Sequence, residues 1–99
     1  VGLNSDRSVR ELKGEGRPIN AEDDRAEVVA ALGCVDYVVI FDGKRATDLL
    51  RAVRPQVYAK GGDYTPEQVV GNDIAQVVIF PTIGGYSTTK IIQGIQCQD

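Results

Sequence analysis

The sequence predicts an α/β fold built on a parallel sheet. Three observations predict it. Strand-like runs rich in β-branched and aromatic residues recur at residues 37–41 (YVVIF), 56–60 (QVYAK) and 76–81 (QVVIFP). Those runs are continuously apolar rather than alternating, which suits strands buried on both faces. Helical patterns lie between and after them, so strands and helices alternate along the chain.

Each element has a local reason. Residues 1–4 (VGLN) read as the end of a strand whose beginning lies upstream, since a buried strand normally runs about five or six residues. A helix and a loop follow. Residues 21–32 (AEDDRAEVVAAL) form the next helix, with Ala26, Val29, Ala30 and Leu32 apolar. Asn20 is placed to cap its N-terminus, Glu22, Asp23 and Asp24 suit the positive end of its dipole, and Gly33 is placed to stop it. The helix at residues 45–53 (RATDLLRAV) carries Leu49, Leu50 and Val53 and ends before Pro55, which disfavours the helical conformation of Arg54. Between Lys60 and Gln76 only fifteen residues connect two strands. That barely accommodates a right-handed crossover, so a short helix or a shortened segment is expected there. The last helix starts at Ser87 or Thr88.

At 99 residues the chain is one domain, residues 1–99, and its start inside a strand reads as incompleteness at the N-terminus. A hydrophobic content of 42% is too high for a disordered chain. A formal charge of -3 provides no general basic field for nucleic acid or an anionic membrane, so phosphate binding must come from local geometry. No apolar run approaches the length that spans a bilayer, and no leader pattern opens the chain, which points to the cytoplasm. Cys34 and Cys97 have no metal-like spacing and read as free thiols, Cys34 packed. The chain has no histidine, which removes histidine acid/base chemistry, Ser-His-Asp arrangements and most zinc sites; no metal-ligating residues are assigned.

Four loops carry candidate chemistry. In GGYSTTKII, residues 84–92, a strand runs through glycines into a helix start, where Ser87, Thr88 and Thr89 add hydroxyls to amides that attract anions. On pattern alone the stretch serves equally well as an ordinary N-cap, and it is not a Walker A loop. In LKGEGRPINAEDDR, residues 12–25, Lys13 and Arg17 lie in a glycine-bearing loop able to close over phosphate, although composition alone favours a solvated basic loop. In KGGDYTP, residues 60–66, the glycines suggest a tight turn or close ligand approach, with Asp63 and Tyr64 able to meet a base or sugar; a plain β-turn explains the same residues. NSDRSV, residues 4–9, which includes Asp6, is the fourth. Each is weak alone, and their coincidence at the carboxyl ends of strands on one sheet edge is stronger.

Taken in order, NSDRSVRELKGEGRPINAEDDRAEVVAAL, VDYVVIF, KGGDYTPEQVVG and GYSTTKII closely resemble the adenylyltransferase domain of the bacterial ADP-heptose synthases, within the cytidylyltransferase-like nucleotidyltransferase superfamily. The resemblance covers almost the whole chain. It implies a Rossmann-like parallel sheet with helices on both faces, lacking its first strand, and an enzyme that transfers AMP from ATP to heptose 1-phosphate, giving ADP-heptose and pyrophosphate for the lipopolysaccharide core. By the same resemblance Ser87, Thr88 and Thr89 contact nucleotide phosphates, Lys13 holds phosphate with help from Arg17, and Gly61, Gly62 and Asp63 line the nucleotide pocket, to which the adjoining Lys60 and Tyr64 of the same loop are also assigned. Asp6 lies in the loop after the first strand present, and Arg25 falls where relatives carry a helix-borne arginine beside the phosphates. Mg²⁺ would bridge the phosphates, and the partners would be small molecules, with a homo-oligomer allowed.

Departures qualify what is implied. The family's H-x-G-H motif follows its first strand and has no counterpart in this histidine-free chain. The stretch VVGNDIAQVV is shorter than in relatives. Thr82 stands where glycerol-phosphate relatives carry arginine, which favours the sugar-phosphate branch. A glycerol-3-phosphate-type cytidylyltransferase and a non-catalytic nucleotide-binding fragment are the alternatives.

Overall fold

The computed structural model describes residues 1–97. Two compact units divide the chain, one from Val1 to Arg54 and the other from Pro55 onward.

In the first unit, strand β1 (Gly2–Asn4) runs parallel to β2 (Val39–Phe41), with Gly2 opposite Val39 and Asn4 opposite Phe41. Just outside β1, the Val1 carbonyl accepts from the Val39 amide at 2.9 Å. Ser5 turns the chain at the end of β1: its amide donates to the Phe41 carbonyl at 2.8 Å, and its hydroxyl caps helix α1 (Asp6–Lys13) by accepting from the Ser8 amide at 3.2 Å. Gly14 ends α1 at φ 89, a left-handed conformation that favours glycine.

Helix α2 (Glu22–Ala30) lies against both strands and is shorter than its sequence pattern. Ala21, not Asn20, occupies the N-cap, with no side-chain cap bond. The backbone carbonyl of Asn20 is instead taken by Arg25, whose Nε donates to it at 2.9 Å. Nor does Gly33 stop the helix: the amides of Ala31 and Leu32 reach back to the carbonyls of Val28 and Val29, tightening the last turn before the glycine is reached. Cys34 therefore falls in the turn beyond α2 and is exposed rather than packed; both thiols are free.

Helix α3 (Thr47–Val53) buries Leu50 and sends Leu49 onto β1. A Cβ at Gly2 would stand 2.6 Å from Leu49 Cδ2, so a larger residue there would require that side chain to shift. The helix ends at Arg54, held left-handed at φ 50 before Pro55.

In the second unit, β3 (Val57–Gly61) pairs in parallel with β4 (Gln76–Phe80), from Val57 opposite Gln76 to Gly61 opposite Phe80. The short crossover uses one 3₁₀ turn, Pro66–Gln68, opened by Thr65, whose amide donates to Gln68 Oε1 at 2.9 Å. Asn72 Nδ2 then gathers the carbonyls of Pro66 and Glu67, at 3.3 and 3.0 Å, and folds the chain back toward β4. Val69, Ala75 and Val77 are the buried apolar side chains of this unit among the described residues. Helix α4 (Thr88–Gln96) follows β4 and is exposed along most of its length.

The strands and helices of the sequence pattern thus form in the expected order, with parallel pairing. Hydrogen bonds join the strands as two pairs, β1 with β2 and β3 with β4, so the candidate loops divide between two units. No helix among the described residues is long and apolar enough to cross a membrane.

Candidate functional site

The first group of candidate residues gathers where β1 passes into α1. Asp6 is the first residue of α1, and its carboxylate accepts from Arg25 Nη2 at 2.9 Å. Arg25 Nη1 donates to the carbonyl of Asn4, the last residue of β1, at 3.0 Å. With Nε on the Asn20 carbonyl, all three guanidinium nitrogens are engaged with protein acceptors. The Asp6 amide donates to Glu22 Oε1 at 3.1 Å.

Beneath this lies Ser8, fully buried, whose hydroxyl donates to the Gly43 carbonyl at 2.8 Å while accepting from Asn4 Nδ2 at 2.8 Å. A buried hydroxyl needs such partners, since an unpaired one carries a desolvation cost. These bonds tie the end of β1 to the loop after β2. Asn4, Ser5 and Ser8 lie in the candidate stretch 4–9 without an individual role assigned from sequence, and Glu22 was assigned only to the helix dipole. The signal for Ser5 was present, because a serine before an acidic first turn is an N-cap pattern; the partners of Ser8 and Glu22 are tertiary and leave no local trace.

Lys13 and Arg17 lie elsewhere in the same unit. Lys13 is not in a loop as expected: α1 continues through it, because the glycine that ends the helix is Gly14. Its side chain is exposed, with no hydrogen bond or ion pair among the described residues. Arg17 follows in the loop, half-buried and engaged, before Pro18.

The second group sits at the carboxyl ends of β3 and β4. Gly62 continues the strand pairing by donating to the Phe80 carbonyl at 3.0 Å, then turns at φ 135. A Cβ there would stand 2.5 Å from the Tyr64 ring, so the glycine is what lets that ring fold back against the turn. Lys60 Nζ lies 5.0 Å from the centroid of the same ring, a cation–π distance. Asp63 reaches across to the loop after β4, where its Oδ1 accepts from the Thr82 amide at 3.4 Å, the long end of the range. Thr82 thereby joins the site through its backbone, a contact the sequence could not reveal. Tyr58, half-buried in β3, has its phenol pushed above the ordinary range by desolvation.

The chain then passes Gly84 and Gly85, the latter at φ 90, to reach Ser87. Ser87 is the N-cap of α4, and its hydroxyl accepts from the Lys90 amide at 3.0 Å. Thr88 and Thr89 are the first two helical residues. Capping uses a lone pair of the serine oxygen and leaves its proton available to an anion, so capping and anion binding are compatible at this position. The expected set therefore falls into Asp6 with Arg25 in one unit, and Lys60 to Tyr64 with Ser87 to Thr89 in the other. Among the described residues no group of three or more carboxylate or thiol side chains is gathered to hold a metal ion.

The family model described as cytidylyltransferase-like matches residues 1–94. The bifunctional protein HldE of Syntrophotalea carbinolica is 48% identical over 100 residues, covering 96% of this chain and 20% of that protein. The protein of the same name from Campylobacter concisus is 53% identical over 97 residues, covering 97% of this chain and 21% of its own length, and that of Wolinella succinogenes is 50% identical over 97 residues. The chain spans about a fifth of the length of these curated relatives.

Proposed function

The chain belongs to the cytidylyltransferase-like family, and from that premise we propose that it is the nucleotidyl-transfer part of an enzyme that moves AMP from ATP to a sugar 1-phosphate, heptose 1-phosphate, releasing pyrophosphate. The observation that carries the reading is the start of α4: a glycine loop from the end of a parallel strand delivers Ser87, Thr88 and Thr89 to a helix N-terminus. First-turn amides of a helix lack intrahelical acceptors and favour negative charge. The product, ADP-heptose, would serve lipopolysaccharide core synthesis in the cytoplasm, in keeping with the motif resemblance.

In-line transfer asks the protein for position and charge rather than for a nucleophile: an oxygen of the acceptor phosphate attacks the α-phosphorus, and pyrophosphate leaves. In this reading Ser87, Thr88 and Thr89 hold the departing phosphates with hydroxyl and amide donors. Lys60 and the Tyr64 ring form one wall of the nucleotide pocket, Gly61 and Gly62 let the ligand approach the backbone, and Asp63 braces the turn against Thr82. Lys13 supplies a mobile positive charge toward the acceptor phosphate, and Arg17 assists. Asp6 and Arg25 shape the end of β1.

Among the described residues no cluster of carboxylates is gathered to form a cage for Mg²⁺. Mg²⁺ enters this reading as the counter-ion that ATP brings to the site.

Pyrophosphate release by the full-length protein tests the proposal. ATP with heptose 1-phosphate is expected to be the productive pair. Preference for CTP with glycerol 3-phosphate would assign the chain to a different branch of its family, and nucleotide binding without turnover of any pair would leave a binding module.

A further inference from the structure

We infer that Arg25 is a positioning residue for the proposed transfer, fixing the β1–α1 turn through the Asn4 carbonyl and the Asp6 carboxylate. Its guanidinium is a planar fork with donors at three nitrogens. Each nitrogen has a protein acceptor: Asn20 O at 2.9 Å, Asn4 O at 3.0 Å and Asp6 Oδ1 at 2.9 Å. Those acceptors come from three places in the chain: the approach to α2, the last residue of β1 and the first residue of α1. Nη1 and Nη2 each carry a second N–H beyond these bonds, but the three bonds together fix where the fork sits on a side chain only 21% exposed.

Glu22 completes the clamp. It lies three residues before Arg25 and so on the same side of α2. Both residues grip Asp6, Arg25 by the carboxylate and Glu22 by the amide at 3.1 Å. The first turn of α2 therefore holds the first residue of α1 at two points, while β2 holds the neighbouring Ser5 through the bond from its amide to the Phe41 carbonyl. Asp6 cannot shift without breaking one of these contacts. In the transfer reading α1 also carries Lys13, so the grip on the first residue of α1 governs where that lysine sits, and small displacements of positioning groups are costly to a reaction that depends on alignment.

The kinetic consequence rests on the transfer reading above; the clamp itself does not. The test uses the full-length protein with Arg25→Lys, which keeps the charge and loses the fork, and Glu22→Ala, which removes only the second grip. Both variants are expected to lower kcat, Arg25→Lys by about 10- to 100-fold, with the Kd for ATP within about twofold of the parent. The double variant Arg25→Lys/Asp6→Asn is expected to lose no more than the worse single variant, since both break one clamp. Hydrogen exchange at the Asp6 amide is expected to quicken in Arg25→Lys and Glu22→Ala. Weaker ATP binding with kcat unchanged in Arg25→Lys would make the residue a phosphate ligand and overturn the inference. So would an Asp6 amide that exchanges at the parent rate. A parent protein that releases no pyrophosphate overturns the transfer reading, and the amide exchange still decides the clamp.

Discussion

Ser8→Ala removes one oxygen and two hydrogen bonds from a fully buried position. The hydroxyl donates to the Gly43 carbonyl and accepts from Asn4 Nδ2, both at 2.8 Å. Each such bond contributes about 0.5–1.5 kcal/mol net, so the pair is worth about 1–3 kcal/mol. Gly43 is exposed and Asn4 half-buried, so water recovers part of what the orphaned groups lose, and the lower part of that range, about 1–2 kcal/mol, is expected. That cost corresponds to an opening about 5- to 30-fold more populated. Native-state hydrogen exchange in the full-length protein reads it at the amides of Ser5 and Val9, which donate to Phe41 and Ser5 carbonyls beside the lesion. Exchange within about twofold of the parent, equivalent to the effect of an inconsequential surface substitution, would refute the claim that Ser8 ties β1 to the loop after β2.

Gly62→Ala forces a side chain into a backbone at φ 135 and into the Tyr64 ring, so it should cost about 1–3 kcal/mol and lift the ring away from Lys60; an unchanged melting temperature and unchanged Tyr64 ring shifts would refute this. Ser87→Ala removes the cap on the Lys90 amide, about 1 kcal/mol from α4, and, with Thr88→Ala, should weaken ATP binding by the full-length protein; unaltered affinity would return the stretch to a plain helix cap. Tyr58 should ionise above the ordinary phenol range, because desolvation in β3 disfavours its phenolate. Its contribution is complete below the unfolded value of 10.0 and declines as pH rises from there through the folded value, so Tyr58→Phe should blunt the alkaline loss of stability measured by chemical denaturation.

Element type and order were legible in the sequence because they rest on local causes. Runs such as QVVIF are short and β-branched, which favours strands, and Pro55 limits the helix before it. Boundaries were less legible where two neighbouring residues could do one job. Asn20 is the better cap by type, yet the chain places Ala21 there because the Asn20 backbone is held by Arg25. Gly33 is the better stop, yet α2 tightens and ends before it. The candidate loops were found by residue type, and the bonds between them were not, since the contacts of Ser8 with Gly43, Arg25 with Asn4, and Asp63 with Thr82 join residues at least nineteen positions apart. The exposed large apolar residues of α4 and its approach, Ile83, Tyr86, Ile91 and Ile95, likewise contradict no local rule.

The central claim is transfer of the nucleotidyl group, and following the phosphates of ATP tests it most directly. The full-length protein would be given a sugar 1-phosphate acceptor and ATP labelled in either its α- or its γ-phosphate. The account predicts that the α-label appears in the sugar nucleotide and the γ-label leaves in pyrophosphate. A γ-label transferred to this acceptor, or an α-label that never leaves the adenosine nucleotide pool, would contradict it.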